Sequence, residues 1–142
     1  MDLFSFLRRE PAAAHILTGK RGEATAVRFL RRTGYKILQC NIRVGKKDEI
    51  DILAFDPEDK VLVFAEVKTR TRENDYEPDL NVTAEKRFAM DRAARRWMAL
   101  HCIEIGYRFD VICVVDGKVT AHHKEVDVQS AVRAHLRRQW RR

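Results

Sequence analysis

The sequence predicts an α/β fold in which a mixed central sheet with an αβββαβ core is flanked by helices. Segments with helical periodicity alternate along the chain with short apolar segments typical of strands. Two of the strand segments are joined by a short polar turn and are expected to form a hairpin. The strands before and after the longest helix are apolar on both faces, which favours a parallel crossover through that helix.

The first half of the chain predicts one helix and three strands. The helix is expected over about 20–33, and Gly34 ends it. Strands are expected over 35–44, 49–56 and 61–68, and the last two form the hairpin. The apolar face of the helix is expected to consist of Ala24, Val27, Phe29 and Leu30.

The second half of the chain predicts a long helix, two strands and a terminal helix. A polar loop over 69–80 precedes the long helix, which is expected at about 82–103. Strands over 109–115 and 119–123 are joined by the turn Asp116-Gly117. The apolar face of the long helix is expected to hold Met90, Ala93, Trp97 and Leu100. The terminal helix is indicated by the four-residue spacing of Val128, Val132, Leu136 and Trp140.

The composition suits a globular protein with a basic surface. Of the 142 residues, 45% are hydrophobic and 35% are charged. Residues 1–17 are expected to form a loose arm, and residues 18–142 a single domain. Lys and Arg number 28 against 21 acidic residues, and the formal net charge of +7 favours a polyanionic partner. Three arginines of the terminal helix either bind nucleic acid or keep an exposed face soluble, namely Arg133, Arg137 and Arg141.

The cysteines favour a reducing compartment. Cys40, Cys102 and Cys113 form no metal-ligand spacing, and no secretory signal is recognisable. We therefore expect reduced thiols and a cytoplasmic location. No segment approaches the roughly 20 consecutive apolar residues of a membrane span, so no membrane association is expected.

Two acidic segments, Glu49-Ile-Asp51 and Glu66-Val-Lys68, lie in the predicted hairpin beside apolar runs. Charges at the end of a buried strand are unfavourable unless something compensates them. If the residues on either side of the turn 57–60 pair, antiparallel register places Asp51 opposite Glu66 and Glu49 opposite Lys68. All four charged groups then gather on one face of the sheet, whereas a slip of one residue would scatter them.

This arrangement predicts a metal site that cuts a phosphodiester. Two neighbouring carboxylates repel, so at least one pKa is expected to rise. Mg²⁺ removes that conflict, because it prefers oxygen ligands and takes one or two carboxylates plus phosphate oxygens and water. Lys68 on the same face would position or activate the water. The alternative is a structural ion pair between Glu49 and Lys68, with Asp51 and Glu66 merely solvated.

The order of elements, with an acid on the first helix, Asp51 on the second strand and Glu66-Val-Lys68 on the third, resembles the PD-(D/E)xK nuclease superfamily. That superfamily includes restriction endonucleases and Holliday junction resolvases. More narrowly, the chain resembles the YraN-like family of small bacterial proteins. The resemblance spans about 20–115 and implies a restriction endonuclease-like fold. The matching residues are Gly22-Glu23-Ala24, Asn41-Ile42-Arg43, Glu49-Ile50-Asp51-Ile52-Leu53-Ala54, Phe64-Ala65-Glu66-Val67-Lys68-Thr69-Arg70, Val82, Lys86 and Arg108-Phe109-Asp110-Val111.

The resemblance implies a site for Mg²⁺ or Mn²⁺. Asp51 and Glu66 would hold the metal with help from the backbone carbonyl of Val67. Lys68 would assist the attacking water or the transition state, and Glu23 would complete the acidic cluster from the first helix. The alternative for Glu23 is an ordinary glutamate near a helix start, where the macrodipole favours it.

The resemblance further implies an endonuclease acting on DNA, with branched or structured DNA as a candidate substrate and a homodimer as a candidate assembly. Arg43, Arg70 and Lys86 are candidate nucleic-acid contacts, although a solvated lysine is the default interpretation of Lys86. The alternative function is an inactive nucleic-acid-binding or adaptor module on a nuclease fold. Two departures from the family pattern favour it: Asp48 replaces a glycine, and Tyr76-Glu77 replaces an aromatic-glycine pair.

Overall fold

The computed structural model describes residues 14–46, 48–70 and 84–126. Within these residues the chain forms two helices and five strands in the order α1-β1-β2-β3-α2-β4-β5. The α/β class and the order of elements expected from the sequence are confirmed. The helices are α1 (Ala14–Arg32) and α2 (Ala84–Leu100), and the strands are β1 (Lys36–Val44), β2 (Asp48–Asp56), β3 (Val61–Arg70), β4 (Tyr107–Val115) and β5 (Lys118–His123).

The five strands form one mixed sheet in the spatial order β1-β2-β3-β4-β5. Neighbouring strands are antiparallel except for β3 and β4, which run parallel and are connected through α2. The predicted parallel crossover is therefore confirmed. Both strands of the parallel pair are largely buried, which explains why their apolar residues occupy both faces.

The register of the β2–β3 hairpin is the one expected from the sequence. Asp56 pairs with Val61 beside the turn, and the ladder continues without a shift to Ile52 and Ala65. This register fixes which residues of the two strands come together at the far end of the hairpin. Its continuation to a Glu49–Lys68 pair remains a prediction.

The core is divided between the two faces of the sheet. On one face Phe64 of β3 packs in a cluster with Met90 and Trp97 of α2. On the other face Val63 of β3 packs in a second cluster with Leu30 of α1. The sheet is therefore the middle layer of three, and residues on either side of it can be reached from a different helix.

Helix α1 differs from its prediction in its start and in its buried stripe. It begins at Ala14 rather than near residue 20, so residues 14–17 of the expected loose arm are helical. Residues 1–13 lie outside the described part, and the division into arm and domain stays a prediction. Ala24 is exposed, whereas Ala26 is fully buried, because the stripe that faces the sheet runs through Gly22, Ala26 and Leu30 at helical spacing.

The other boundaries were also wrong by a few residues. Helix α2 ends at Leu100, which is 75% exposed rather than part of the apolar face, and Cys102 just beyond it has a left-handed φ of 52°. Strand β3 extends to Arg70 because its last residues pair with β4, where a loop was expected from residue 69. The rest of that loop, over 71–80, lies outside the described residues.

The predicted terminal helix, its three arginines and the Tyr76-Glu77 departure also fall outside the described residues. Within the described part of the chain, neither helix has the length and apolar character needed to cross a membrane.

Candidate metal and nucleic-acid site

Asp51 and Glu66 meet where the β2–β3 ladder ends, and we refer to them as the carboxylate pair. The backbone N–H of Val67 donates a hydrogen bond of 2.8 Å to Oδ2 of Asp51. The two carboxyl groups also share a hydrogen bond. The hairpin register, which is set at the opposite end by the turn, thus brings two acids together as the sequence predicted. Their roles in catalysis and metal binding stay predictions.

The carboxylate pair is electrostatically strained. Burial, reinforced by the nearby charge of Asp51, raises the pKa of Glu66 from 4.5 to about 7. Burial also raises the pKa of Asp51, although the hydrogen bond from Val67 opposes this rise. When Glu66 carries a proton, it donates a hydrogen bond to the Asp51 carboxylate. A cation that entered the site would replace this proton and relieve the repulsion.

Lys86 supplies a positive charge to the pair from the first turns of α2. Its Nζ lies 3.3 Å from Oε1 of Glu66, and its side chain is 43% exposed. The sequence predicted a nucleic-acid contact or a solvated lysine, and the contact with the carboxylate pair was missed. No local spacing signals it, because only the packing of α2 on the sheet brings Lys86 to β3.

Glu23 approaches the same site from α1. Burial raises its pKa, and the charges of Asp51 and Glu49 raise it further, while a hydrogen bond to Asn41 lowers it. These effects require Glu23 to lie near Asp51, as the resemblance implied. The site is consequently approached from both helices, with an acid on α1 and a lysine on α2.

Lys68 and Val67 occupy successive positions on β3 after Glu66. Lys68 follows Glu66 by two residues, so it lies on the same side of the strand, and it pairs with Cys113 of β4. It is partly buried, and its charge acts on the Cys113 thiol. The Val67 side chain faces the other way and packs against the cluster beneath α1. Only its backbone contacts the site, through the N–H that donates to Asp51.

The residues of the site fit a hard divalent cation that is shared with a substrate. Within 14–46, 48–70 and 84–126, no group of three or more His, Cys, Asp or Glu side chains is arranged to hold a metal alone. Mg²⁺ does not need such a group, because it usually keeps several waters and binds one or two carboxylates plus substrate phosphate oxygens. The contact between Asp51 and Glu66 provides those two carboxylates.

Asp48 has a structural role that accounts for one departure from the family pattern. Its carboxylate accepts two hydrogen bonds from Arg92 of α2, from Nε at 2.7 Å and from Nη2 at 2.6 Å. Asp48 is only 6% exposed. This two-point ion pair fixes the start of β2 to the helix that carries Lys86.

The other two predicted nucleic-acid contacts lie at the same end of the sheet as the carboxylate pair. Arg43 is exposed near the end of β1 and pairs in the ladder with Glu49. Arg70 is exposed at the end of β3, and its Nη1 donates to the Thr69 carbonyl at 3.1 Å. The ends of β1 and β3 and the start of β2 coincide because β2 is antiparallel to both neighbours.

A second group of buried charges lies at the opposite end of the same hairpin. The Arg108 guanidinium bonds Asp56 at 2.9 Å, Asp59 at 2.7 Å and Asp110 at 3.0 Å. It also donates to the Tyr35 hydroxyl at 3.0 Å. We call Arg108 with these three aspartates the arginine clasp. Arg108 and Asp110 are two residues apart on β4, but the full clasp was not predicted from the sequence.

The clasp is compensated where the carboxylate pair is not. Burial alone would raise the pKa of Asp110, yet hydrogen bonds from His122 and Arg108 hold it below its usual value. At Asp56, burial alone would likewise raise the pKa, but the hydrogen bond from Arg108 helps to lower it. Nε2 of His122 lies 2.8 Å from Asp110, a contact that the sequence did not signal. Each buried carboxylate of the clasp therefore has a cationic partner.

The comparisons with known proteins agree on one family. A family model described as "Uncharacterised protein family UPF0102" matches residues 22–114. A UPF0102 protein of Pelobacter propionicus is 42% identical over 99 residues, which cover 69% of this chain and 70% of the relative. One from Geobacter metallireducens is 43% identical over 97 residues, covering 68% and 77%. One from Alkalilimnicola ehrlichii is 38% identical over 109 residues, covering 74% and 84%. The matched range includes the carboxylate pair, Glu23, Lys68, Lys86 and the clasp, and the chain belongs to the UPF0102 family.

Proposed function

We propose that this protein is an endonuclease that depends on Mg²⁺ or Mn²⁺ and hydrolyses phosphodiester bonds in DNA, with branched or structured DNA as a candidate substrate. One observation carries the proposal: two partly buried carboxyl groups are in mutual contact at a strand end, and the pKa of Glu66 is raised to about 7. Strongly perturbed acids at one point are typical of functional sites.

The chain's own residues have complementary roles in this reaction. Asp51 and Glu66 hold the cation, together with the carbonyl of Val67 and a phosphate oxygen of the substrate. When bound, the cation supplies Lewis-acid stabilisation of the charge that develops on the phosphate. Lys68, on the Glu66 side of β3, orients the water that attacks phosphorus. Glu23, whose pKa is raised, accepts a proton from that water directly or through another water, while the P–O bond to the leaving nucleotide oxygen breaks and that oxygen takes up a proton from solvent.

The charge of the chain supports a nucleic acid as the substrate. A net charge of +7 attracts a polyanion, and phosphate contacts dominate non-specific affinity for DNA. Arg43 and Arg70 are exposed at the catalytic end of the sheet, where they can bind the phosphate backbone. Lys86 already reaches Glu66 and is placed to contact the scissile phosphate once the cation takes over that carboxylate.

The test is cleavage of linear duplex, single-stranded, four-way-junction and RNA substrates with Mn²⁺. We expect cleavage of at least one DNA substrate, and a loss of at least about a hundredfold in Asp51→Asn, because the metal contributes several kcal/mol of transition-state stabilisation. Glu58→Gln is the matched control, since Glu58 is an exposed acid in the turn at the other end of the hairpin. Activity that survives Asp51→Asn would belong to a contaminating nuclease and contradict the proposal.

The competing function is a nucleic-acid-binding module without turnover. The observation that favours it is the ion pair between Lys86 and Glu66, which gives the carboxylate pair a cation from within the chain. A module of this kind would bind DNA without cleaving it and would show no thermal stabilisation by millimolar Mn²⁺. An enzyme would show both cleavage and stabilisation.

A further inference from the structure

A surface pocket of about 290 Å³ lies beside the carboxylate pair, between α1 and the ends of β3 and β4. Arg21 and Gly22 contribute the α1 wall, and Thr69 and Arg70 contribute the β3 wall. Asp116, in the turn between β4 and β5, closes it on the third side. The pocket belongs to the same end of the sheet as the candidate metal site but uses none of the residues proposed to bind the metal.

The lining of the pocket is positively charged. It contains two guanidinium groups, Arg21 and Arg70, against one carboxylate, Asp116. Among the described residues, neither arginine forms an ion pair with an acid. The backbone N–H of Asp116 donates to the Arg70 carbonyl at 3.2 Å, which holds the turn against the end of β3. Two exposed arginines in a concave site favour a ligand with planar or tetrahedral oxyanion groups.

The wall between the two arginines is a close helix–strand contact. A Cβ atom at Gly22 would overlap the hydroxyl of Thr69, so only glycine allows α1 to lie this near to β3. The Thr69 Oγ1 atom is buried there and has no hydrogen-bond partner among the described residues.

The position of the pocket relates it to the candidate cleavage site. Gly22 precedes Glu23 on α1, and Thr69 lies three residues beyond Glu66 on β3. Thr69 shares the α1 face of the sheet with Val67, whereas Glu66 and Lys68 face the other way, because successive side chains of a strand alternate between its faces. The pocket and the carboxylate pair therefore lie at the same end of the sheet on opposite faces, where one bound DNA molecule can meet both.

We propose that this pocket binds a second phosphodiester group of the DNA, through Arg21 and Arg70, apart from the phosphate that is cleaved. The inference rests on the proposed nuclease function for the identity of its ligand. The pocket therefore acts on the affinity for DNA rather than on the chemical step. The same oxyanion chemistry is offered by free phosphate, which the experiment must separate from DNA.

The test is DNA binding in EDTA, measured by fluorescence anisotropy of a labelled duplex and a labelled four-way junction over a range of salt concentrations. Arg21→Gln and Arg70→Gln should each raise the Kd about tenfold at low salt. Each should also reduce the slope of log K against log salt by about 1. Arg28→Gln, an exposed arginine two turns further along α1, is the matched control and should leave both quantities unchanged. Unaltered thermal melting will establish that the variants are folded.

The outcomes separate the inference from the function on which it rests. If both variants bind DNA as tightly as the control while Asp51→Asn still abolishes cleavage, the pocket proposal is wrong and the nuclease stands. If the variants weaken DNA binding but no metal supports cleavage, the pocket is supported and the nuclease proposal fails. If wild type binds inorganic phosphate in calorimetry, and Arg21→Gln loses that binding without loss of DNA affinity, the pocket serves free phosphate instead.

Discussion

The β2–β3 hairpin carries buried acids at both ends, and the two ends treat them in opposite ways. At the turn end, Arg108 and its partners lower the pKa values of Asp56 and Asp110 despite their burial. At the other end, burial raises the pKa values of Asp51 and Glu66, and the charge of Asp51 raises the pKa of Glu66 further. The acids at the turn end thus form a cluster whose charges are balanced by Arg108. The carboxylate pair at the other end forms a cluster whose negative charge is incompletely balanced. The incomplete cluster is where a ligand is expected.

The largest effect is expected from removing the cation of the clasp. Arg108→Met should destabilise the protein by about 3–5 kcal/mol, because Asp56 and Asp110 would remain buried without their guanidinium. Urea unfolding followed by circular dichroism measures the loss. Arg28→Met, at an exposed site on α1, is the control and should change stability by less than about 0.5 kcal/mol. Equal effects in the two variants would show that the clasp does not stabilise the fold.

The two ends should also respond to pH with opposite signs. Glu66 has a folded pKa of about 7 against 4.5 when unfolded, so the folded protein binds more protons between these values. Without metal, stability should therefore fall as pH rises from 4.5 to 7, by up to about 3 kcal/mol. The lowered pKa values of Asp56 and Asp110 act in the other direction, since their stabilisation is present above pH 3.8 and is lost as pH falls below it.

Glu66→Gln isolates the contribution of Glu66 from those of the other titratable groups. The difference in unfolding free energy between wild type and Glu66→Gln should grow from pH 4.5 to 7 and be flat above pH 8. Urea titrations at each pH in EDTA provide the measurement. A difference that does not vary with pH would mean that Glu66 is not held protonated in the folded protein.

A divalent cation should relieve the repulsion at the carboxylate pair, and so stabilise the folded protein, without affecting the arginine clasp. At a Mn²⁺ concentration of a hundred times Kd, the stabilisation is about 2.7 kcal/mol for one site. We expect a rise in the melting temperature of wild type and of Glu58→Gln, and none in Asp51→Asn. The rise should be larger at pH 8 than at pH 6, because the carboxylate pair must lose its proton to bind the cation.

The smallest effect is expected at Lys86. Its ammonium partly offsets the charge of Glu66, so Lys86→Met should move the Glu66 titration to higher pH. The side chain is 43% exposed, and solvent screening limits the expected change in stability to less than about 1 kcal/mol. Nuclear magnetic resonance titration of the Glu66 side-chain carbon gives the pKa directly. A downward shift would contradict the assignment of Lys86 as the partner of Glu66.

The contrast between the ends also explains which features the sequence could predict. The carboxylate pair was predictable because one turn of four residues fixes the register of two adjacent strands, and alternation then places Asp51 beside Glu66. The contact of Lys86 with Glu66 was not predictable, because it depends on how α2 packs against the sheet. The clasp likewise joins Asp56 of β2 and Asp59 of the following turn to Arg108 and Asp110 of β4. Only Arg108 and Asp110, two residues apart on one strand, are close in sequence.

The buried stripe of α1 and the role of Asp48 were missed for a related reason. The stripe of α1 was assigned from apolar residues, and Gly22 was not counted among them, although its lack of a side chain allows the helix to contact Thr69. Asp48 was identified from the sequence only as a departure from the family pattern. Its ion pair with Arg92, across 44 positions of sequence, could not be inferred from either neighbourhood.

The parallel pairing of β3 with β4 has a consequence for the order in which the molecule assembles. The hairpin closes over a few residues, whereas β4 can join β3 only after the whole crossover segment has been ordered, at a greater loss of chain entropy. We therefore expect Asp51 and Glu66 to meet early in folding and to repel one another until α2 brings Lys86 to Glu66. Protons or divalent ions in the refolding buffer should accelerate that early step.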